Sequence, residues 1–259
     1  MTGSAAGVRG ARRPFVRRWL QRLLWLVVTF VVATWLPVLI LRFVPPVTSA
    51  YMLERRISRM WQGNHRFILH YEWVPWKQIA PVAPLAMVAG EDQTFPFNHG
   101  FDIPSIRSAI DEAEAGGRLR GASTITQQTA RNLFLWSGGG FFRKGLEAWF
   151  TVLIDITWPK HRVLEVYANI AELGDGIYGV EAASRAFFHQ PASRLTAHQA
   201  ALLAAVLPDP RDWHADRPSP YIQRRAAWIQ QQMRQLGGVS YVLDPHPKRP
   251  RVAPTRDRR

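Results

Sequence analysis

The 259-residue chain contains no cysteine, which excludes a disulfide framework and leaves no thiol to oxidise. It also lacks any stretch in which apolar and polar residues alternate with period two for long enough to propose a sheet, and no internal repeat recurs along it. Acid is absent from the first 22 residues, which hold six arginines: Arg9, Arg12, Arg13, Arg17, Arg18 and Arg22. From Leu23 to Leu41 charge of either sign is missing, and the nineteen residues LLWLVVTFVVATWLPVLIL match what a tilted helix needs to cross about 30 Å of hydrocarbon. A cleaved secretory signal would be shorter and end in small residues, whereas this run continues into Arg42-Phe43-Val44-Pro45-Pro46, so an uncleaved anchor is expected. The arginines before it leave the N-terminus in the cytoplasm and the body outside by the positive-inside rule. Trp25 and Trp35 lie inside the span, and Tyr51 and Trp61 follow it, either as interfacial anchors or as ordinary packing residues.

The formal charge is +14, which by itself suggests an anionic partner such as nucleic acid. Its distribution argues otherwise. Besides the six N-terminal arginines, residues 248–259 carry six basic residues against Asp257, so about +3 is left on the body between. Basic ends on a near-neutral body fit anionic lipid headgroups or wall polymers better than a base-reading surface, and no nucleic-acid partner is expected. The organisation that follows is a basic cytoplasmic segment 1–22, a membrane anchor 23–41, one globular domain 42–243 and a basic, Pro/Arg-rich, disordered tail 244–259.

Helical signals dominate the body. Ile103-Pro104 opens a helix through Ala115, with Ile106 and Ile110 at helical spacing and Gly116-Gly117 as its stop. Thr124 with Gln127 has the form of a capping box and starts a helix through Phe134. After a flexible break at Ser137-Gly138-Gly139-Gly140, helices are expected over Arg143–Thr157 and from Pro159 through Leu173. Gly174-Asp175-Gly176-Ile177-Tyr178-Gly179 reads as a tight loop before a helix from Val180. Thr196 with Gln199 is a second capping box, opening a packing helix over Ala200–Leu207 that Pro208-Asp209-Pro210 stops. Ser219-Pro220 then starts an amphipathic helix ending at Gly237-Gly238.

Several polar residues stand where chemistry is possible. Glu91 emerges from the apolar run Pro84-Leu85-Ala86-Met87-Val88-Ala89, where partial desolvation suits a general base. Asp92 follows it and orients the local loop. Ser123 and Thr124 put hydroxyls at a helix N-terminus, either as caps or beside an anion drawn by the free N–H groups. Arg143 and Glu147, four apart, read as an ordinary surface ion pair worth a few tenths of a kcal/mol, or, with Lys144, as a group facing a cleft. His99 has no second His or Cys at ligand spacing and reads as a structural hydrogen-bonder, so no protein metal site is expected.

Four segments occur in one order: Glu91-Asp92-Gln93-Thr94-Phe95 with His99-Gly100-Phe101-Asp102, then Gly121-Ala122-Ser123-Thr124-Ile125-Thr126-Gln127-Gln128, then Arg143-Lys144-Gly145-Leu146-Glu147, then Leu164-Glu165-Val166-Tyr167-Ala168-Asn169. Together they resemble the signature of the peptidoglycan glycosyltransferases, glycosyltransferase family 51, over roughly Ala80 to Leu236. The lack of a second large domain points to the monofunctional branch of that family. The resemblance implies a mainly α, lysozyme-like bilobal domain behind one N-terminal transmembrane helix. It implies an inverting polymerase of lipid II that releases undecaprenyl pyrophosphate, placed on the periplasmic side of the inner membrane. Its partners would be lipid II, the growing lipid-linked glycan, the membrane and other cell-wall synthesis or division proteins. By resemblance, Glu91 deprotonates the acceptor's 4-hydroxyl, and Glu147 is the second catalytic carboxylate. Gln128, Arg131 and Lys144 reach the donor's sugar or phosphates, with Asp92, Ser123, Thr124 and Arg143 in the same binding site. Glu147 would orient the leaving group directly or through a divalent cation, magnesium or manganese, with no organic cofactor. Asn169 would brace Glu147, and the segment 97–120 would dip into the membrane interface. A family arginine is missing where Gly138, Gly139 and Gly140 stand, which puts one phosphate contact in doubt. Two other readings stay open: a lytic transglycosylase or lysozyme-type muramidase working with one glutamate, and an inactive membrane-anchored scaffold.

Overall fold

A computed structural model describes residues 12–114, 123–244 and 247–248, and the backbone divides into two compact units, 1–43 and 44–259. The expected Gly116-Gly117 helix stop, the first two residues of the 121–128 motif, Arg9 and most of the basic tail lie outside the described residues. The first unit contains one long helix, α1 (Arg12–Leu41), whose stretch Arg17–Leu41 is long and apolar enough to cross a membrane.

The second unit is mainly helical: α2 (Ala50–Trp61), α3 (Val82–Glu91), α4 (Ile103–Glu114), α5 (Ile125–Phe134), α6 (Phe141–Thr157), α7 (Lys160–Ile170), α8 (Val180–Phe188), α9 (Ala197–Val206), α10 (Pro220–Gln235) and α11 (Ser240–Leu243). Apolar on every side, α3 and α9 are buried together, and α10 closes over both with its stripe Ile222, Ala226, Ile229 and Met233. A second group forms where α5 packs on α6 and α7, with Phe134 and Phe150 stacked at a ring-centroid distance of 4.5 Å. The two groups meet where α3 touches α7.

Both capping boxes form as expected, at Thr124 and at Thr196. Pro159 lies outside its helix as the N-cap, and α7 ends at Ile170, short of the expected Leu173. The following residues instead form strands β2 (Glu172–Gly174) and β3 (Ile177–Tyr178), so the expected tight loop is a hairpin. With β1 (His70–Tyr71) they make a three-stranded sheet in the order β1-β3-β2, with β1 parallel and β2 antiparallel to β3. Strands of two or three residues are too short to display a period. After the hairpin, Gly179 sits at φ +85, and a Cβ there would meet the Asn169 carbonyl oxygen at 2.4 Å, so only glycine lets the chain turn into α8.

Candidate active site

Glu91 is the last residue of α3, where the buried helix gives way to a turn. Its Oε2 accepts a hydrogen bond from Gln128 Nε2 on α5 at 3.0 Å. Gln128 is itself oriented, because the Tyr167 hydroxyl on α7 donates to its Oε1 at 2.8 Å and leaves the amide nitrogen for the glutamate. Burial, with the negative charge of Glu91 beside it, pushes the Tyr167 hydroxyl well above its usual range, so it remains a protonated donor. From α10, Arg225 brings Nη2 to 3.7 Å from Glu91 Oε1.

Asp92 is turned inward. It accepts from both Asn98 Nδ2 (2.9 and 3.0 Å) and the backbone N–H of Ile125 at 3.0 Å, with the Thr94 hydroxyl 3.2 Å away. Burial raises it to about 6, against these hydrogen bonds and the nearby Lys160, which act to lower it. The anion at the N-terminus of α5 is therefore the protein's own carboxylate. Thr124 is likewise committed, accepting from the Gln127 N–H and donating to the Gly100 carbonyl at 2.6 Å. The contacts of Asp92 and Thr124 tie α3, α5 and the 94–100 loop together. Ser123 is half-buried just ahead of the cap.

The second carboxylate cluster lies on α6. Glu147 is 2% exposed, with Arg143 Nη1 at 2.9 Å on one oxygen and Lys144 Nζ on the other. Burial of this kind rules out an ordinary surface pair. Lys144 leaves half of its side chain in solvent, whereas Arg143 is largely covered. The 136–140 loop lies against Arg143: a Cβ on Gly139, at φ +95, would come within 3.2 Å of that side chain. Glycine at position 139 thus lets the loop lie close over the Arg143 side chain. The same loop is anchored rather than free, since the Ser137 N–H donates to Glu54 on α2 at 2.6 Å.

Arg131 lies one turn beyond Gln128 on the same face of α5, its guanidinium 5.7 Å from the centre of the Tyr51 ring. Burial raises the Tyr51 hydroxyl, while the charges of Arg131 and Arg143 pull it back and those of Glu54 and Glu147 push it up. Tyr51 and Glu54 thus belong to this cluster, a role the sequence did not reveal. Nor did it reveal Arg225, although the signal was there: a charged residue at a core position of an amphipathic stripe. His99 is 95% exposed, 3.9 Å from Asp155. Asn169 does not brace Glu147; it bonds both backbone groups of Val74 at 2.9 Å and fixes the strand-like segment before α3.

For the divalent cation, the donor set does not fit. Among the described residues no three His, Asp or Glu side chains come together, and both oxygens of Glu147 already face cations.

Residues 63–234 match the protein-family model described as Transglycosylase. The chain is 51% identical over 229 residues to a protein of Xanthomonas euvesicatoria pv. vesicatoria, covering 88% of this chain and 92% of that one. It is 51% identical over 243 residues to one of Stutzerimonas stutzeri, covering 94% and 98% of the two. A protein of Pseudomonas putida is 51% identical over 228 residues, covering 88% and 94%. All three relatives bear the name biosynthetic peptidoglycan transglycosylase.

Proposed function

The chain belongs to the transglycosylase family, has its lysozyme-like fold and is a glycosyltransferase of peptidoglycan synthesis; on that premise we propose that it polymerises lipid II into glycan strands with inversion at the donor carbon. Glu91 takes the proton of the acceptor's 4-hydroxyl as that oxygen bonds to the anomeric carbon of the donor. The bond from that carbon to the phosphate oxygen breaks, and undecaprenyl pyrophosphate leaves with the electron pair. Arg131 and Lys144 compensate its charge, and Glu147, whose other oxygen is paired with Arg143, holds Lys144 in place. The observation that carries this reading is α5 itself, whose Gln128 holds the base while Arg131, one turn on, lies beside the second carboxylate cluster. A hydrolase working with one glutamate has no use for that second cluster.

The reaction is tested with purified full-length chain and labelled lipid II, with and without added magnesium or manganese. Polymeric glycan is the expected product, and unchanged lipid II under every condition would refute the assignment. Strict dependence on the ion would place the metal on the lipid pyrophosphate, since no cluster of three His, Asp or Glu side chains occurs among the described residues.

We further infer that α1 anchors the protein in the inner membrane with its N-terminus cytoplasmic and the body periplasmic, supported by the arginines clustered before an uncharged span. A lipid-linked substrate gives such an anchor its purpose, because it confines enzyme and donor to one surface. A reporter fused after residue 243 should be active only outside the cytoplasm. Cytoplasmic activity of that fusion would reverse the orientation and remove access to the substrate.

A further inference from the structure

The buried face of α10 is apolar except for Gln232 and Arg225, which is 4% exposed. An arginine cannot shed its charge in a protein, and a fully buried one is scarcely found unless paired. Its Nη2 lies 3.7 Å from Oε1 of Glu91, while the other carboxylate oxygen accepts from Gln128. Glu91, Asp92 beside it in sequence and Arg131 on α5 all act on the Tyr167 hydroxyl of α7, so these charges share one neighbourhood. Asp92 is held by Asn98 and the start of α5, and Arg131 lies over Tyr51. Arg225 is the cation that α10 delivers to Glu91.

We propose that Arg225 is a positioning residue for Glu91, holding the carboxylate ionised and oriented so that it can accept the acceptor hydroxyl's proton. The proposal rests on the glycosyl-transfer reading above for its kinetic consequence, though the pairing itself does not. Reduced contact with water disfavours the charged form of a carboxylate, the form that acts as a base, and Glu91 keeps only 17% of its side chain exposed. A permanent cation on the opposite helix reverses that tendency. It also links the rim of the site to the α3–α9–α10 core, so the base is set by the best-packed part of the domain.

The test compares the pH dependence of kcat/KM for lipid II in the full-length parent, Arg225→Gln and Arg225→Lys. With glutamine, the acid limb should move up by about one pH unit and the rate at neutral pH should fall about tenfold, recovering as the pH is raised. Lysine keeps the charge and should keep the limb near its parental position. A glutamine variant reduced equally at all pH values, or a lysine limb displaced as far as that of glutamine, would overturn the proposal. If Arg225→Gln does not fold, the position of the lysine limb decides alone. A second arm needs no activity: melting temperatures of Glu91→Gln, Arg225→Gln and the double variant should be non-additive, because both changes remove the same ion pair. Additive shifts would dissolve the pair. Failure of the parent to use lipid II would instead refute glycosyl transfer, with the melting cycle still deciding the pairing.

Discussion

Glu91→Gln is expected to lower glycan polymerisation by about 10²- to 10⁴-fold while leaving the protein folded. The amide has the shape of the carboxylate, and its one carbonyl oxygen can keep either the Gln128 or the Arg225 contact, so packing at the end of α3 is largely preserved. What is lost is a group that can take a proton. Asp92 cannot substitute, because its oxygens are engaged by Asn98 and the Ile125 N–H behind the site. Turnover of labelled lipid II checks the expectation, with a melting curve confirming the fold. A rate within a few-fold of the parent would exclude Glu91 from the mechanism.

Lys144→Ala should separate polymerase from hydrolase. Lys144 leaves half of its side chain in solvent, so it can reach a substrate anion while Glu147 holds its Nζ. Loss of one charged contact to the pyrophosphate corresponds to about 1.5–3 kcal/mol, roughly a 10- to 100-fold fall in lipid II consumption. Finished glycan has no phosphate in its backbone, so neither parent nor variant should solubilise purified wall. If the three residues form only a structural ion cluster, the change should be within the about 0–1 kcal/mol typical of exposed pairs and should appear in stability alone. A variant that polymerises at the parental rate, or a parent that dissolves wall, would overturn the role given to α6.

Local signals in the sequence were read correctly where a few neighbouring residues decide the outcome. Thr124 with Gln127 starts α5 because its cap is closed within four residues, and Glu91 ends a run apolar on all sides. The misses share a different cause. Helix α2 went unpredicted because much of its apolar periodicity points to solvent, with Leu53, Ile57 and Met60 each about half exposed. Tyr51 and Arg225 join the site through contacts with residues far away in sequence, which no window of fifteen residues contains. Asp92 shows the subtler failure. The anion-attracting start of α5 was legible, but not that a carboxylate 33 positions earlier would fill it.

Helix α5 also acts as a ruler. Its start is pinned by the capping box and by Asp92, so it can neither slide nor turn without breaking bonds at the N-terminus. Gln128 and Arg131 are its graduations, about 4.5 Å apart along the axis, the rise of three helical residues. One marks where Glu91 is held, and the other, on the proposed reaction, where leaving-group charge is met. On the proposed reaction, a substrate is measured against that fixed interval, and a sugar whose attacked carbon and phosphate do not span it should fail to engage both marks at once.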